Sequence, residues 1–237
     1  MCKQPHFPAF PSFQENPGCN QQLKSRSNTM FTKKVSRREM LGMTGALAAA
    51  SMLPAGEAMA ARRGGSGGAT QLTAAEKNDL AFMREEEKLA RDVYLTLYDI
   101  WGTPVFANIA SSEQQHMDAI LNLLNTYNLP DPAAGNLVGE FVNAELQALY
   151  DALIARGKQS ALEALQVGGV IEETDVEDLV AAMATSRLSN IDKVYQNLLN
   201  GSYNHLRAFA KNIQSLTGQP YVAQVVSQDI VDSILDS

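Results

Sequence analysis

The sequence predicts an all-α protein built as an up-down four-helix bundle with one long crossover. Apolar residues recur at helical spacing in four long segments, and no segment shows the alternation that is typical of a β-strand. A short link joins the first two long segments, which makes them antiparallel neighbours. About thirty residues separate the second segment from the third and contain a further short helix, as a bundle with a single crossover requires.

The first two helices are delimited by capping residues. Thr73 is placed to cap a first helix that ends near Gly102. Ser111 or Ser112 caps a second helix that runs to about Asn128. The apolar stripes of the two helices contain Leu80, Met83, Ala90, Tyr94, Leu97, Trp101, Ile120, Leu123 and Leu124.

Three further helices follow the same rules. The short helix of the crossover covers residues 144–155, and the third long helix covers about 160–185. Ser189 or Asn190 caps a fourth long helix that reaches Leu216. The apolar stripes of the third and fourth helices contain Leu162, Leu165, Val176, Leu179, Met183, Ile191, Tyr195, Leu198, Phe209 and Ile213.

The N-terminal part has the pattern of an export signal. Arg37 and Arg38 precede an apolar run over residues 41–53, and an Ala-x-Ala site ends at Ala60. The run is shorter than the roughly 20 residues that a membrane span needs. Because the arginine pair resembles the twin-arginine motif, we expect a twin-arginine signal peptide over 30–60. The alternatives are an ordinary Sec-type signal or an N-terminal anchor that is not cleaved. Cleavage after Ala60 gives a periplasmic or extracellular protein with no membrane span.

The remaining boundaries follow from composition. Residues 1–29 lack periodicity and are either a non-native extension upstream of a true start at Met30 or a long n-region. A Gly/Ser-rich linker is expected over 61–76 and the bundle over 77–217. The C-terminal tail, 218–237, docks either on the bundle or on a partner.

Charge and cysteine content exclude several classes of function. The formal net charge of −7 is opposite to that of a general nucleic-acid binder, so no nucleic-acid partner is expected. Both cysteines, Cys2 and Cys19, precede the cleavage site. The mature chain therefore has no disulfide framework, zinc knuckle or cysteine nucleophile.

Polar residues interrupt the apolar stripe of every long helix near its middle. They are Glu86 and Glu87 in the first helix, Glu113 and His116 in the second, Glu172 and Glu173 in the third, and Ser202 and His205 in the fourth. Burying an unpaired carboxylate costs several kcal/mol, and neighbouring like charges increase that cost. The compensation is protonation of some carboxylates, pairing with Arg91, or a bound pair of metal ions. Carboxylate and imidazole ligands suit iron or manganese, and zinc less specifically.

The motif Glu113-x-x-His116 favours the metal interpretation. Residues at i and i+3 share one face of a helix, so both side chains can reach the same pair of ions. In two-metal bundles, two helices give one Glu each and two give Glu-x-x-His. The candidate metal ligands are Glu87, Glu113, His116, Glu172, Glu173 and His205.

These motifs resemble those of a known superfamily. The pattern Glu-x-x-Ala-Arg-x-x-Tyr over residues 87–94 resembles the first metal-binding helix of rubrerythrins, and residues 113–116 match their second. The stretch 80–216 resembles a ferritin-like family that carries the domain-of-unknown-function number 2202, with the segments 83–92 and 202–207 among the shared landmarks. The resemblance implies a ferritin-like bundle with a di-iron carboxylate centre and no characterised reaction.

The chain departs from the pattern at one position. The fourth helix should carry Glu three residues before His205, but Ser202 stands there. Either Glu172 and Glu173 both serve as ligands, or water or an exogenous anion fills the place, or one metal binds weakly. Five residues are expected to contact the ligands rather than the metal: Glu86, Arg91, Tyr94, Ser202 and Tyr203. Asp175 and Asp178 are assigned to the solvated face or to similar contacts.

The leading functional hypothesis is a redox-active di-iron protein outside the cytoplasm. It would oxidise ferrous iron with oxygen or peroxide, or reduce peroxide, with an unidentified electron donor. Two iron ions are the expected cofactor, with manganese or zinc as alternatives. The competing hypotheses are metal binding or iron sequestration without catalysis, and a metal-free interaction bundle whose site has decayed. The sequence leaves open whether the chain forms a homo-oligomer.

Overall fold

The computed structural model describes residues 71–237, and every regular element in that part of the chain is a helix. The helices are α1 (Ala74–Trp101), α2 (Pro104–Thr126), α3 (Ala144–Gly157), α4 (Ala161–Thr185), α5 (Ser189–Thr217) and α6 (Gln228–Leu235). The predicted all-α fold is confirmed. The predicted upstream extension, the signal peptide and most of the linker fall on residues 1–70, outside the described residues.

Helix α1 begins and ends at the two residues that the sequence indicates. The Thr73 side chain accepts a hydrogen bond from the Glu76 N–H, and the Glu76 carboxylate accepts one from the Thr73 N–H. This reciprocal arrangement satisfies two backbone donors that the first turn leaves free. Gly102 ends the helix with a φ of 64°, a left-handed conformation that glycine adopts without steric cost. The helix includes residues 74–76, which the sequence assigned to the linker.

The predicted start of the second helix at Ser111 or Ser112 is wrong. Helix α2 begins at Pro104, immediately after the link formed by Gly102 and Thr103. The fixed φ of proline suits the first helical position, where its missing N–H is not needed. Ser112 instead lies within the helix, and its hydroxyl is 3.0 Å from Nε2 of His205 on α5.

The second hairpin differs from the prediction only in detail. Ser160 caps α4 by accepting a hydrogen bond from the Glu163 N–H. The N-cap position of α5 is Leu188, which makes no side-chain cap bond, so neither Ser189 nor Asn190 has the predicted role. Helix ends of this kind vary by one or two residues with small changes in hydrogen bonding.

The four long helices form two hairpins that pack together. Helix α1 packs along α2 and α4 along α5, while contacts of α1 with α4 and of α2 with α5 join the hairpins. At one end, the Tyr127 hydroxyl donates to Oδ1 of Asn190 over 2.9 Å. At the other end, Nε1 of Trp101 donates to the Gly157 carbonyl over 2.9 Å. The crossover from α2 to α4 begins near the first end and finishes near the second, so it runs along the bundle as predicted.

A buried ion pair attaches the crossover to α1. Lys88 and Asp92 form a salt bridge with side chains that are 1% and 0% exposed. Lys88 also donates to the Leu137 carbonyl over 2.7 Å, and the Gly139 N–H donates to Asp92 over 2.9 Å. Arg91 lies 2.7 Å from the same Asp92 carboxylate. These basic side chains of α1 are therefore engaged with Asp92 and the crossover.

An aromatic cluster lies in the core beside the polar residues. The rings of Tyr94, Phe106 and Phe209 have centroids 5.2 to 6.3 Å apart. Gly168 of α4 faces these rings, and a Cβ atom at this position would lie 2.4 Å from the Phe209 ring. The glycine therefore allows α4 to approach α5 closely.

The C-terminal segment docks on the bundle, which is one of the two predicted alternatives. The fully buried carboxylate of Glu173 accepts hydrogen bonds from the Tyr221 hydroxyl at 2.6 Å and from the backbone N–H groups of residues 224–226 at 2.6 to 3.0 Å. Helix α6, which the sequence did not predict, then packs against α5. Its residues Val231 and Ile234 are buried.

Within residues 71–237, each helix is too short or too polar to cross a lipid bilayer.

We predict that Glu173→Gln destabilises the protein by about 2–3 kcal/mol, because it removes a buried charged acceptor and places an amide N–H₂ among donors. Glu177→Gln, on the exposed face of the same helix, is the control. Urea unfolding gives the free energies, and limited proteolysis reports whether the segment after Gly218 has detached. An unfolding free energy equal to that of the wild type would contradict the anchoring role.

Candidate metal centre

A polar cluster lies in the middle of the bundle core and draws on all four long helices. This carboxylate–histidine cluster consists of Glu87 from α1, Glu113 and His116 from α2, Glu172 and Asp175 from α4, and His205 from α5. The exposed fractions of its four carboxylate residues are between 1% and 7%. The cluster is therefore largely shielded from water.

Glu113 lies between the two histidines and gives one oxygen to each. Nδ1 of His116 is 2.7 Å from Oε2 of Glu113, and Nδ1 of His205 is 2.8 Å from Oε1. The first pair is the i, i+3 pair of the Glu-x-x-His motif. The two imidazole rings stack at a centroid distance of 5.5 Å.

Each histidine also faces a second carboxylate from another helix. Nδ1 of His116 is 3.2 Å from Oε2 of Glu87, and Nδ1 of His205 is 3.4 Å from Oε2 of Glu172. Two groups of three ligand residues result, Glu87–Glu113–His116 and Glu113–Glu172–His205, each with ligand atoms within 4.8 Å of one another. Because Glu113 belongs to both groups, the arrangement suits two cations that share one carboxylate.

Burial raises the pKa of most of the carboxylates. The pKa of Glu87 is raised well above its usual value by burial and by the negative charge of Asp175. Burial also raises the pKa of Glu172, and burial together with the Glu172 charge raises that of Asp175 to about 7. Glu113 differs: burial raises its pKa, but the close contacts with His116 and His205 and their positive charges outweigh burial and lower the pKa to about 2.

Burial alone would lower the pKa of the two histidines, but the neighbouring carboxylates raise it. Burial lowers the pKa of His116, but Glu113 and Glu87 outweigh it and raise the pKa to about 11. Burial likewise lowers the pKa of His205, whereas Glu172 and Glu113 raise it to about 10. Without a metal ion, the cluster therefore holds protons on both imidazoles at neutral pH.

The donor set fits a pair of metal ions. Within residues 71–237, Oε1 of Glu87 and Nδ1 of His205 are buried atoms that make no well-oriented hydrogen bond, although His205 lies close to two carboxylates. Arg91, the predicted alternative partner, is bound to Asp92 and to Gln114, with a 2.5 Å bond to the latter. Buried carboxylate oxygens and imidazole nitrogens are ligands that iron, manganese and zinc accept.

The other predicted contact residues have different positions. The Tyr94 hydroxyl donates to Oε1 of Glu172 over 2.5 Å, so this tyrosine contacts a ligand as expected. Glu86 instead lines an apolar pocket between α1, α3 and α4, with Leu89 and Leu153 among its neighbours. Tyr203 is half-buried and packs against the edge of the core.

The structure separates the two adjacent glutamates of α4. Glu172 joins the cluster, whereas both oxygens of Glu173 are occupied by the C-terminal segment. The residue that sequence reasoning left outside the cluster is Asp175, whose carboxylate is hydrogen-bonded to the Ser202 hydroxyl. Its position three residues after Glu172 was the available signal, because residues at i and i+3 share a helical face.

The fold and the cluster define the class: an α-helical bundle with a buried carboxylate–histidine site on its four long helices. By sequence, the chain belongs to the family described as "Uncharacterized protein domain (DUF2202)", whose model matches residues 76–237. All six residues of the cluster lie in the matched region.

Similarity to an archaeal protein covers the same region. The chain is 45% identical over 162 residues to "Uncharacterized protein MJ0754" of Methanocaldococcus jannaschii, which covers 68% of this chain and 87% of the relative. It is also similar to a solved structure, "Crystal structure of hypothetical protein MJ0754 from Methanococcus jannaschii DSM 2661". That comparison has a TM-score of 0.69 and 43% identity, and covers 73% of this chain and 98% of the other.

We predict that the metal-free protein loses stability as the pH rises from 6.5 to 9. The folded-state pKa values of His116 and His205, about 11 and 10, exceed the unfolded value of 6.5. In this range the folded protein therefore holds protons that the unfolded chain has released, and stability falls by on the order of 1 kcal/mol per pH unit for each histidine. The raised pKa of Glu87 acts in the same direction.

Urea unfolding of EDTA-treated protein across this pH range provides the measurement. A His116→Ala, His205→Ala double variant is the control and should show a flatter profile. A stability that stays constant or increases from pH 6.5 to 9 in the metal-free wild type would be inconsistent with these protonation states.

Proposed function

We propose that this protein is an exported ferritin-like protein with a di-iron or di-manganese centre that reacts with oxygen or peroxide. Its reaction would be the oxidation of ferrous iron or the reduction of peroxide. The observation that carries the proposal is the position of Glu113 between two ligand groups, each with one histidine and one further carboxylate. A single buried ion pair would not need this second set of ligands.

The ligand assignment follows from the two groups. Glu87, Glu113 and His116 would hold one ion, while Glu113, Glu172 and His205 would hold the other. Iron bound here would supply the change of oxidation state that a reaction with oxygen or peroxide requires. Binding must displace the protons of both imidazoles, so metal affinity should increase with pH.

Neighbouring side chains orient these ligands. The Tyr94 hydroxyl donates to Glu172, which leaves the other oxygen, Oε2, directed at His205. The Ser112 hydroxyl contacts Nε2 of His205 at 3.0 Å, and Nδ1 of the same ring faces the carboxylates. Partners of this kind fix the orientation of metal ligands and influence metal affinity. The surrounding apolar core limits the access of water to the site.

Export and electron supply are proposed from the sequence. The arginine pair and the Ala-x-Ala site support export by the twin-arginine route, which carries folded proteins, so metal insertion could precede export. The stretch after Ala60 has no cysteine and hence no rubredoxin-like site. Peroxide reduction would therefore need a separate electron donor.

We predict that the purified protein, reconstituted anaerobically with ferrous iron, retains about two iron ions per chain and consumes ferrous iron on exposure to oxygen or peroxide. The His116→Ala, His205→Ala double variant should lose both properties, because each ligand group loses its only nitrogen. Asp118→Asn, on the exposed face of α2, is the matched control. Metal content is measured by mass spectrometry and ferrous iron with a chromogenic chelator.

The other outcomes separate the competing functions. Two ions per chain without oxidation would contradict the redox function and favour metal sequestration. An absence of bound metal after reconstitution with ferrous iron and with manganese would refute the metal centre and leave a helical interaction bundle.

A further inference from the structure

The carboxylate–histidine cluster contains one acid that neither trio of ligands uses. Asp175 lies on α4, three residues after Glu172 and on the same face. It is 7% exposed and forms no salt bridge within residues 71–237, although the charge of His116 is close enough to lower its pKa. A buried carboxylate without a salt-bridge partner is costly and needs a reason.

Asp175 faces the interior of the bundle and not the solvent, because its side chain is buried and one of its oxygens contacts the fully buried Ser202 hydroxyl. Its negative charge contributes to the raised pKa of Glu87 on α1 and of Tyr94. In turn, the charges of Glu172 and Glu113 raise the pKa of Asp175. Asp175 is therefore close to acids from α1, α2 and α4.

The chain provides room for Asp175 on the side of α5. Ser202 occupies the position three residues before His205, and its fully buried hydroxyl contacts one oxygen, Oδ2, of Asp175. Next to it, Gly201 lies against the His116 ring, where a Cβ atom would come within 2.5 Å of the imidazole. Gly201 and Ser202 are therefore the small residues of α5 that lie next to the cluster, and the Asp175 carboxylate of α4 occupies the space beside them.

We propose that Asp175 is a further metal ligand that completes the centre from α4, and that Ser202 is the positioning residue that orients its carboxylate. This assignment rests on the proposed metal centre. Glu173 is not available for the same task, because Tyr221 and three backbone N–H groups occupy its oxygens. The bond from Ser202 holds Oδ2 and leaves Oδ1 of Asp175 to bind an ion.

The test compares manganese(II) binding to the wild type, Asp175→Asn and Asp178→Asn. The EPR signal of the free ion gives the number of bound ions and their affinities. We expect two ions per chain in the wild type, and an affinity for one of them that is at least about tenfold lower in Asp175→Asn. Asp178→Asn, a buried acid one turn further along α4, should bind like the wild type.

A second measurement shows that Asp175→Asn still folds. Asparagine has the same shape and removes one of several like charges, so the metal-free variant should unfold at the same temperature as the wild type or above it. Added manganese(II) should stabilise it less than the wild type, because a ligand that binds more weakly shifts unfolding less.

The role of Ser202 is tested by coupling. We expect Ser202→Ala to lower the affinity for the same ion severalfold in the wild type and to have little effect in the Asp175→Asn background. A structural role of Ser202 would produce equal losses in both backgrounds and would overturn the positioning role.

The two proposals fail in distinguishable ways. Wild-type binding of two ions together with unchanged binding in Asp175→Asn overturns the assignment of Asp175 and leaves the metal centre intact. A wild type that binds no manganese or ferrous ion overturns both.

Discussion

The burial of four carboxylates at the centre of a helical bundle is the constraint on which the rest of the structure depends. Glu87, Glu113, Glu172 and Asp175 each cost several kcal/mol to bury, against a total stability of about 5–15 kcal/mol for a typical domain. Two imidazoles can supply at most two positive charges. The raised pKa values of Glu87, Glu172 and Asp175 favour protonation of these carboxylates in the metal-free protein, and two divalent cations would balance the full set of charges.

The surrounding elements leave this site free of competing partners. The basic side chains Lys88 and Arg91 of α1 are bound by Asp92, which also holds the crossover through Gly139. Glu173 is bound by the C-terminal segment, so it adds no further charge to the cluster. These buried polar contacts thus attach the crossover and the C-terminal segment to the bundle, and they engage Lys88, Arg91 and Glu173 outside the carboxylate–histidine cluster.

Much of the fold follows from local rules that a sequence carries. The spacing of apolar residues indicates the long helices, and the i, i+3 relation brings Glu113 and His116 together before any tertiary contact is considered. The start of α2 was mispredicted because two serines resemble caps, whereas Pro104 is the residue that begins the helix.

Long-range contacts could not be predicted in the same way. The separation of Glu172 from Glu173 depends on a segment about fifty residues further along the chain, and adjacent helical positions alone do not decide which of them faces the core. The i, i+3 relation to Glu172 places Asp175 on the same face of α4, but its contact with Ser202 depends on how α4 packs against α5, which neither local pattern encodes.

The most direct test of the central claim is a crystal structure of the metal-loaded protein with anomalous diffraction at the iron or manganese edge. Two anomalous peaks are expected, one on each side of the Glu113 carboxylate, with His116 bound to one ion and His205 to the other. Anomalous maps without a peak at this cluster, or with one ion bound elsewhere on the chain, would contradict the two-metal centre.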